Sequence, residues 1–198
     1  MRSQSVIESL NPRGYLEIIK RYLDGTEEVV FSDHNMITIG MGNNLAALFG
    51  SEDALRPVSN HIIRYFQLGS GNGSSAASSI TSLISVFGGA DYGNTALNKV
   101  SHSRVTAGGA AAATETFIEM DQAMINKPAE DQIQFVIDLD TDTANGESIT
   151  EIGLFATDPY NLEVTTATKG SILCAYRYFS SITKSASFAL TFKWTIEF

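Results

Sequence analysis

The segment SFALTFKWTIEF, residues 187–198, decides the fold class of this chain. Every second residue in it is large and apolar, and the residues between are mostly small or polar. Successive side chains of a β-strand point to opposite faces, so this alternation puts the apolar groups on one face of an extended strand. Those groups are Phe188, Leu190, Phe192, Trp194, Ile196 and Phe198. Phe198 ends the pattern. Since an untethered chain end frays, we expect this strand to be held inside a sheet.

Three further segments of the C-terminal third predict strands. Residues 133–139 alternate apolar and polar side chains, and residues 148–155 and 172–179 are apolar runs with β-branched and aromatic members. Asn145-Gly146, a favoured pair for a type I′ turn, lies between the first two segments. Short strands separated by turn residues predict a mainly β fold, an antiparallel β-sandwich or a barrel-like sheet.

The N-terminal part predicts a β-hairpin followed by a short helix. Asp24-Gly25 separates two extended runs, which we expect to be strands over 14–23 and 27–32. Within residues 35–50, Asn residues precede a short Leu- and Ala-rich run that ends at a Gly, which predicts a capped helix. A further strand-like run completes residues 1–68, which we expect to contribute to the core.

Residues 69–113 differ in composition from the rest of the chain, because they are rich in Gly, Ala and Ser. Loops of this length in a compact domain are usually functional or disordered. We therefore expect a flexible arm or extension at 69–113. The predicted organisation is a single domain in which residues 114–198 form the C-terminal antiparallel β-region.

Composition limits the possible functions. The formal net charge of −9 argues against sequence-independent nucleic-acid binding, which depends on Lys and Arg. No apolar run reaches the roughly 18 residues of a membrane span, and residues 1–11 lack the apolar core of a signal peptide. Cys174 is the single cysteine, so it forms neither an intrachain disulfide nor a cysteine-built zinc site, and its apolar neighbours predict a buried, inert thiol. We expect a soluble protein with no nucleic-acid or membrane partner.

Two patterns suggest a ligand site, but neither has the residues that its motif requires at the required positions. The glycine series at 69–73 follows a strand-like run, yet Ser stands where the dinucleotide fingerprint needs its third glycine. Asp138, Asp140 and Asp142 resemble the start of a calcium loop, but the later Gly and Glu of an EF-hand are missing. They remain weak candidates for a cation site, and no metal or cofactor is expected.

Glu151 is a carboxylate inside an apolar strand-like run. We expect it to pair with Arg177 or Lys184 on a neighbouring strand or subunit, and a catalytic acid is the less favoured interpretation. The three histidines are scattered, with no metalloprotease or nucleophile-elbow motif around them. No catalytic residue is predicted, and an enzyme is disfavoured.

The C-terminal third resembles a recurrent pattern in structural proteins of tailed-bacteriophage virions, which occurs in tail, baseplate and fibre-attachment components. The residues that carry it are Asn145-Gly146, the run ITEIGLF at 149–155, Ile172-Leu173, Ala175, Arg177, Phe179, Ile182, Thr183, Lys184 and Trp194. The similarity touches residues 14–71 and 132–198 and is more specific in the second range. Tyr176 and the insertion at 71–113 depart from the pattern.

This resemblance implies a non-enzymatic part of a bacteriophage tail machine: a baseplate, tail tip, neck or fibre adaptor. Such a protein is made in the host cytoplasm and resides in the virion. Its expected partners are copies of itself, in a homo-oligomer, and other virion tail proteins. The 69–113 arm would gain order around a neighbouring subunit. Phe87, Tyr92 and Phe117 are the candidate interface residues.

The sequence is also compatible with two other functions. A β-sandwich could bind host-surface carbohydrate through exposed aromatic faces, and the tyrosines available are Tyr15, Tyr22, Tyr92, Tyr160, Tyr176 and Tyr178. A cell-wall hydrolase would need the paired carboxylates of glycoside cleavage, which would have to come from Asp138–Glu151.

Overall fold

Ten antiparallel strands and one α-helix account for the regular structure in the computed structural model, which describes residues 12–50, 61–71, 80, 82–93, 96–105, 111–157 and 171–198. The elements are β1 (Arg13–Tyr22), β2 (Glu27–Ile37), α1 (Ile39–Gly50), β3 (Ile63–Gly69), β4 (Asn98–Val105), β5 (Ala111–Glu119), β6 (Ile125–Ala129), β7 (Gln132–Leu139), β8 (Ser148–Thr157), β9 (Ser171–Thr183) and β10 (Phe188–Glu197). A 3₁₀ turn at Gln122–Met124 precedes β6. No helix of these ranges combines the length and apolar character needed to cross a membrane.

The strands form one curled sheet, a half-barrel, in the order β4-β5-β3-β8-β9-β2-β1-β10-β7-β6. Only two residue pairs, Met36 with Tyr176 and Ile37 with Ala175, join β2 to β9. This short ladder divides the sheet into a first half-sheet (β2-β1-β10-β7-β6) and a second half-sheet (β4-β5-β3-β8-β9). The predicted mainly β, antiparallel and barrel-like architecture with a short helix is confirmed.

The C-terminal strand β10 is a central strand, as its alternation predicts. It lies between β1 and β7, where Phe192 is opposite Ile18 on one side and Ile137 on the other. Its apolar residues from Phe188 to Ile196 are buried. Phe198 lies beyond the strand and is 44% exposed, although its N–H donates to the Asp131 carbonyl at 2.9 Å. Phe198 is therefore held through its backbone, and its side chain is not part of the core.

Two apolar clusters lie on the two faces of the second half-sheet. The larger cluster contains Leu154 together with residues of the first half-sheet such as Trp194. The smaller one contains Phe155, Phe117 and Leu173. Leu154 and Phe155 are adjacent, so strand β8 is buried on both faces. A strand that is buried on both faces needs apolar residues at successive positions. This explains the apolar run at residues 148–155.

The predicted hairpin is correct, and the predicted helix begins too late. Gly25 adopts a φ of +86° in the β1–β2 turn, a conformation that favours glycine. Strand β2 continues to Ile37 because its end pairs with β9, and Thr38 donates its N–H to the Cys174 carbonyl at 3.1 Å. The helix therefore starts at Ile39. Asn44, expected near the helix start, lies within the helix and donates to the His61 carbonyl at 2.6 Å.

The described part of 69–113 is integrated into the sheet, contrary to the expected flexible arm. Strand β4 lies wholly within it, and β5 begins in it. Leu83, Phe87 and Tyr92 from this region are buried. The few large apolar residues of a small-residue segment are sufficient to anchor it to a core, which composition alone does not reveal. The remaining residues of this region, 72–79, 81, 94–95 and 106–110, lie outside the described ranges.

Candidate functional site

Glu151 is the most unusual polar residue of the described structure. It lies on β8 and its side chain is fully buried. Its Oε1 accepts hydrogen bonds from the backbone N–H groups of Gly71 at 3.1 Å, Ile84 at 3.1 Å and Ser85 at 2.8 Å. Its Oε2 accepts from the Tyr176 hydroxyl at 2.9 Å and from the Ile84 N–H at 3.0 Å. One carboxylate thus joins β8, β9, the end of β3 and residues 84–85.

Gly69 and Gly71 provide the space that this carboxylate occupies. A Cβ added at Gly69 would lie 2.6 Å from the Glu151 Oε1, and one added at Gly71 would lie 2.5 Å from it. Both distances are far below a van der Waals contact. Close approach to a side chain of the same chain therefore explains Gly69 and Gly71 of the series that resembled a phosphate-binding loop. Gly73 lies outside the described residues.

The electrostatics of the site depend on neutral donors. Burying a charge is costly unless hydrogen bonds replace its hydration, and here three N–H groups and one O–H group do so. The pKa of Tyr176 is raised, first by burial and then by its hydrogen bond to the Glu151 carboxylate and that group's negative charge. Tyr176 therefore remains a protonated donor at physiological pH.

The predicted ion pair of Glu151 with Arg177 or Lys184 is wrong. Arg177 stands opposite Ile152 in the β8–β9 ladder, so strand alternation places it on the other face from Glu151. It instead forms a salt bridge with Asp33 and lies over the Phe31 ring. These contacts reinforce the short ladder between the two half-sheets.

Glu151 fastens a short segment across the second half-sheet, which we call the strap (residues 82–87). The Ser85 carbonyl of the strap also accepts a hydrogen bond from the Ser70 N–H at 2.8 Å, and the Phe87 N–H donates to the Leu68 carbonyl at 2.9 Å. Leu83 is buried in the smaller apolar cluster. The sequence signal for this arrangement was an acidic residue inside an apolar strand together with two closely spaced glycines.

Lys184 is the other buried charged group of the described residues and is only 1% exposed. Its Nζ donates to the Asn145 Oδ1 at 3.2 Å and to the Ser185 carbonyl at 2.9 Å, and lies 5.5 Å from the centre of the Phe188 ring. Burial lowers its pKa, while nearby aspartates act in the opposite direction. Its backbone N–H donates to the Glu147 carbonyl at 2.9 Å. Lys184 therefore fixes the loop between β7 and β8.

The three aspartates proposed for a cation site are not brought together as ligands. Asp138, on β7, accepts hydrogen bonds from Arg21 and from Thr191. Asp140 lies after the strand and accepts from the Asp142 N–H at 3.0 Å, which closes a turn. Within the described ranges, no group of three His, Cys, Asp or Glu residues is placed to hold a metal ion.

The predicted interface residues Phe87, Tyr92 and Phe117 are buried in the core of the single chain. Phe87 and Tyr92 belong to the larger apolar cluster and Phe117 to the smaller one. The Tyr92 hydroxyl accepts the Leu68 N–H at 3.0 Å, and burial raises its pKa. Phe87 and Tyr92 attach the 69–113 region to the sheet, and Phe117 lies on β5. None of the three is a surface group, contrary to the expectation.

The apolar residues that are exposed lie elsewhere. Among the described residues, the large ones are Tyr15, Leu23, Val29, Ile39, Phe49, Ile62, Ile84 and Phe198, of which Phe49 is 85% exposed. Tyr15 is the exposed member of the tyrosines proposed for sugar stacking. Of the others, Tyr92 and Tyr176 are buried, Tyr22 and Tyr178 are half-buried, and Tyr160 lies outside the described residues. Cys174 is buried as predicted, and burial raises the pKa of its thiol to about 12.

No protein-family model, curated protein or solved structure matches this chain. Its function must therefore be argued from its own residues. The polar groups with unusual surroundings, Glu151 and Lys184, are buried and fix loops of the sheet.

Proposed function

We propose that this chain is a non-enzymatic structural component of a bacteriophage tail machine, such as a baseplate, tail-tip, neck or fibre-adaptor protein, and that it acts by assembly with copies of itself and other tail proteins. One observation carries the proposal. The charged residues of the sequence pattern that resembles virion proteins, Glu151, Arg177 and Lys184, all make internal contacts that hold loops and half-sheets together.

Residues used in this way support a framework and do not reach a substrate. A carboxylate with no exposed surface, such as Glu151, cannot donate a proton to a glycosidic bond. A subunit of a large assembly, by contrast, needs a fixed shape, because its contacts must be repeated in every copy. Exposed apolar side chains at Leu23, Phe49 and Ile84 offer contact points for such partners.

The virion assignment is tested by quantitative mass spectrometry of purified tailed particles from the source that encodes this chain. We expect its peptides in a fixed ratio to those of the tail proteins, after treatment that removes loosely attached protein. Particles with intact tails that lack these peptides would overturn the assignment.

Self-assembly is tested separately by light scattering of the purified chain. We expect a discrete oligomer whose mass is a whole multiple of the chain mass. A dissociation constant of roughly 100 µM is already weak for a specific complex. A protein that remains monomeric up to this concentration would therefore contradict assembly with copies of itself.

A further inference from the structure

The side chains of Lys184 and Asn145 meet at one end of the sheet. Lys184 follows β9, Asn145 precedes β8, and the Lys184 Nζ lies 3.2 Å from the Asn145 Oδ1. Two backbone hydrogen bonds fix this arrangement, because the Gly146 N–H donates to the Lys184 carbonyl at 3.0 Å and the Lys184 N–H donates to the Glu147 carbonyl at 2.9 Å. The Asn145 amide is oriented by its own bond to the Thr141 carbonyl at 2.6 Å. The fold thus holds an amine against a carboxamide.

The amine is also close to the carbon atom of that carboxamide. A C=O bond is about 1.23 Å long, so the Lys184 Nζ lies at most about 4.4 Å from the Asn145 Cγ. Reacting atoms in a productive arrangement are about 3–3.5 Å apart, and the remaining separation is within reach of a side-chain rotation. Well-oriented groups in one molecule react as if at an effective concentration of about 10⁵–10⁸ M. This proximity compensates for the low reactivity of an amide.

The surroundings of Lys184 favour a nucleophilic amine. Lys184 is 1% exposed, and its Nζ lies 5.5 Å from the centre of the Phe188 ring. Within the described residues, its amine donates to two neutral oxygens, those of Asn145 and Ser185. Burial lowers the pKa of the amine, and the charges of two aspartates after β7 oppose this change. The neutral fraction of the amine is therefore larger than that of an exposed lysine, as in lysines that act as nucleophiles.

We propose that Lys184 and Asn145 form an intramolecular isopeptide bond. This modification site goes beyond the proposed function and does not depend on it. The neutral Nζ attacks the Asn145 Cγ, the Nζ–Cγ bond forms, and the Cγ–Nδ2 bond breaks. The leaving Nδ2 takes up the proton that the attacking nitrogen gives up, directly or through the solvent that reaches the exposed Asn145, and departs as ammonia. The step needs no oxidant, reductant or co-reactant.

The product fits the site better than the reactants. The new amide carries no charge, so the cost of keeping an ammonium group buried is removed. Its remaining N–H can still donate to the Ser185 carbonyl, which accepts from the amine at 2.9 Å. The bond also links the two connections that flank the Ser148–Thr183 end of the β8–β9 ladder. These strands can then no longer separate at that end.

The test is the intact mass of the full wild-type chain during incubation at pH 7 and at pH 9. The reaction starts from the neutral amine, so its rate should rise about ten-fold per pH unit below the pKa of the amine, or about 100-fold between the two conditions. We expect the mass to fall by that of one ammonia. A tryptic digest should then contain a branched peptide that joins Asn145 to Lys184, with no cleavage after Lys184. The unlinked starting chain keeps a titrating amine, and a chain that is already linked on purification supports the proposal equally.

Two variants separate this bond from other losses of ammonia. An Asn followed by Gly can also lose ammonia by ring closure onto the Gly146 nitrogen, but that reaction gives no branched peptide. Lys184→Arg keeps a positive charge and has no nucleophilic amine, and Asn145→Ala removes the carboxamide. Neither variant should lose ammonia through this route.

An unchanged wild-type mass after incubation at pH 9 would overturn the proposal. So would a loss of ammonia that persists in Lys184→Arg and yields no branched peptide. The branched peptide is measured on the wild type alone, so the result does not depend on how well the variants fold.

Discussion

Replacing Glu151 by Gln should loosen the strap while preserving the shape of the site. Hydrogen bonds to a charged group contribute about 1.5–3 kcal/mol and those between neutral groups about 0.5–1.5 kcal/mol. Each bond therefore weakens by about 1 kcal/mol. With the amide oxygen turned toward the Gly71, Ile84 and Ser85 N–H groups, three bonds are affected. The Tyr176 hydroxyl can accept from the new NH₂ group.

Removal of the charge also removes its desolvation penalty, which offsets part of this loss. We expect the free energy of unfolding of Glu151→Gln to fall by about 2 kcal/mol. Glu151→Ala should lower the free energy of unfolding further, because it leaves one buried and two partly buried N–H groups without their acceptor. An unsatisfied buried group costs about 1–3 kcal/mol.

The assay is urea denaturation followed by the fluorescence of Trp194, the only tryptophan, which is buried in the larger cluster. Hydrogen exchange gives a local measurement. If the whole loss of about 2 kcal/mol lies in the free energy of strap opening, the amides of Ile84 and Ser85 should exchange about 30-fold faster, since 1.36 kcal/mol corresponds to a factor of ten. Amides of β10 should respond only to global unfolding.

Glu130→Gln is the matched control, because it makes the same chemical change at an exposed position in the β6–β7 turn. Exposed substitutions of this kind normally change stability by less than about 0.5 kcal/mol. If Glu151→Gln is no less stable than Glu130→Gln and strap exchange is unchanged, the carboxylate does not hold the strap and the reasoning is wrong.

Three further predictions concern spacing, pH and the second buried charge. Gly71→Ala should lower the free energy of unfolding, measured by urea denaturation, by about 2–4 kcal/mol, because the new Cβ would lie 2.5 Å from the Glu151 Oε1. Gly42→Ala, at a helical position with nothing within 4 Å of the new Cβ, should be neutral or stabilising by up to about 1 kcal/mol. Equal effects of the two substitutions would contradict the packing argument. The pKa of Cys174 is raised from 9.0 to about 12 in the folded state, so the unfolded chain releases its thiol proton at a lower pH than the folded chain. The free energy of unfolding should therefore fall between pH 9 and 12, by up to about 1.4 kcal/mol per pH unit more in the wild type than in Cys174→Ala. Parallel pH profiles of the two proteins would refute this. Lys184→Met should be about 1–2 kcal/mol less stable at pH 7, since the two oxygens that accept from its amine lose their donor. Its folded pKa is lowered, so the wild type should gain stability over this variant as pH rises toward 10.5, and a shrinking gap would count against that assignment.

The sequence by itself determined the local features of this protein. The alternation in 187–198 predicted a half-buried strand because side-chain direction in a strand depends only on position along it. Asp24-Gly25 predicted the first hairpin because a tight turn depends on the backbone freedom of adjacent residues. The antiparallel β class followed from several such local signals. The role in a phage tail, taken from the resemblance, stays a prediction.

Only the tertiary structure decided which distant groups meet. The sequence identified Glu151 as unusual but assigned it the wrong partners, because the face of Arg177 depends on the register between β8 and β9. Composition suggested that residues 69–113 leave the core, whereas Phe87 and Tyr92 anchor part of that region inside it. Both outcomes depend on strand pairing between residues far apart in sequence. No local pattern encodes which pairing buries the most apolar surface while giving most buried polar groups a hydrogen-bond partner.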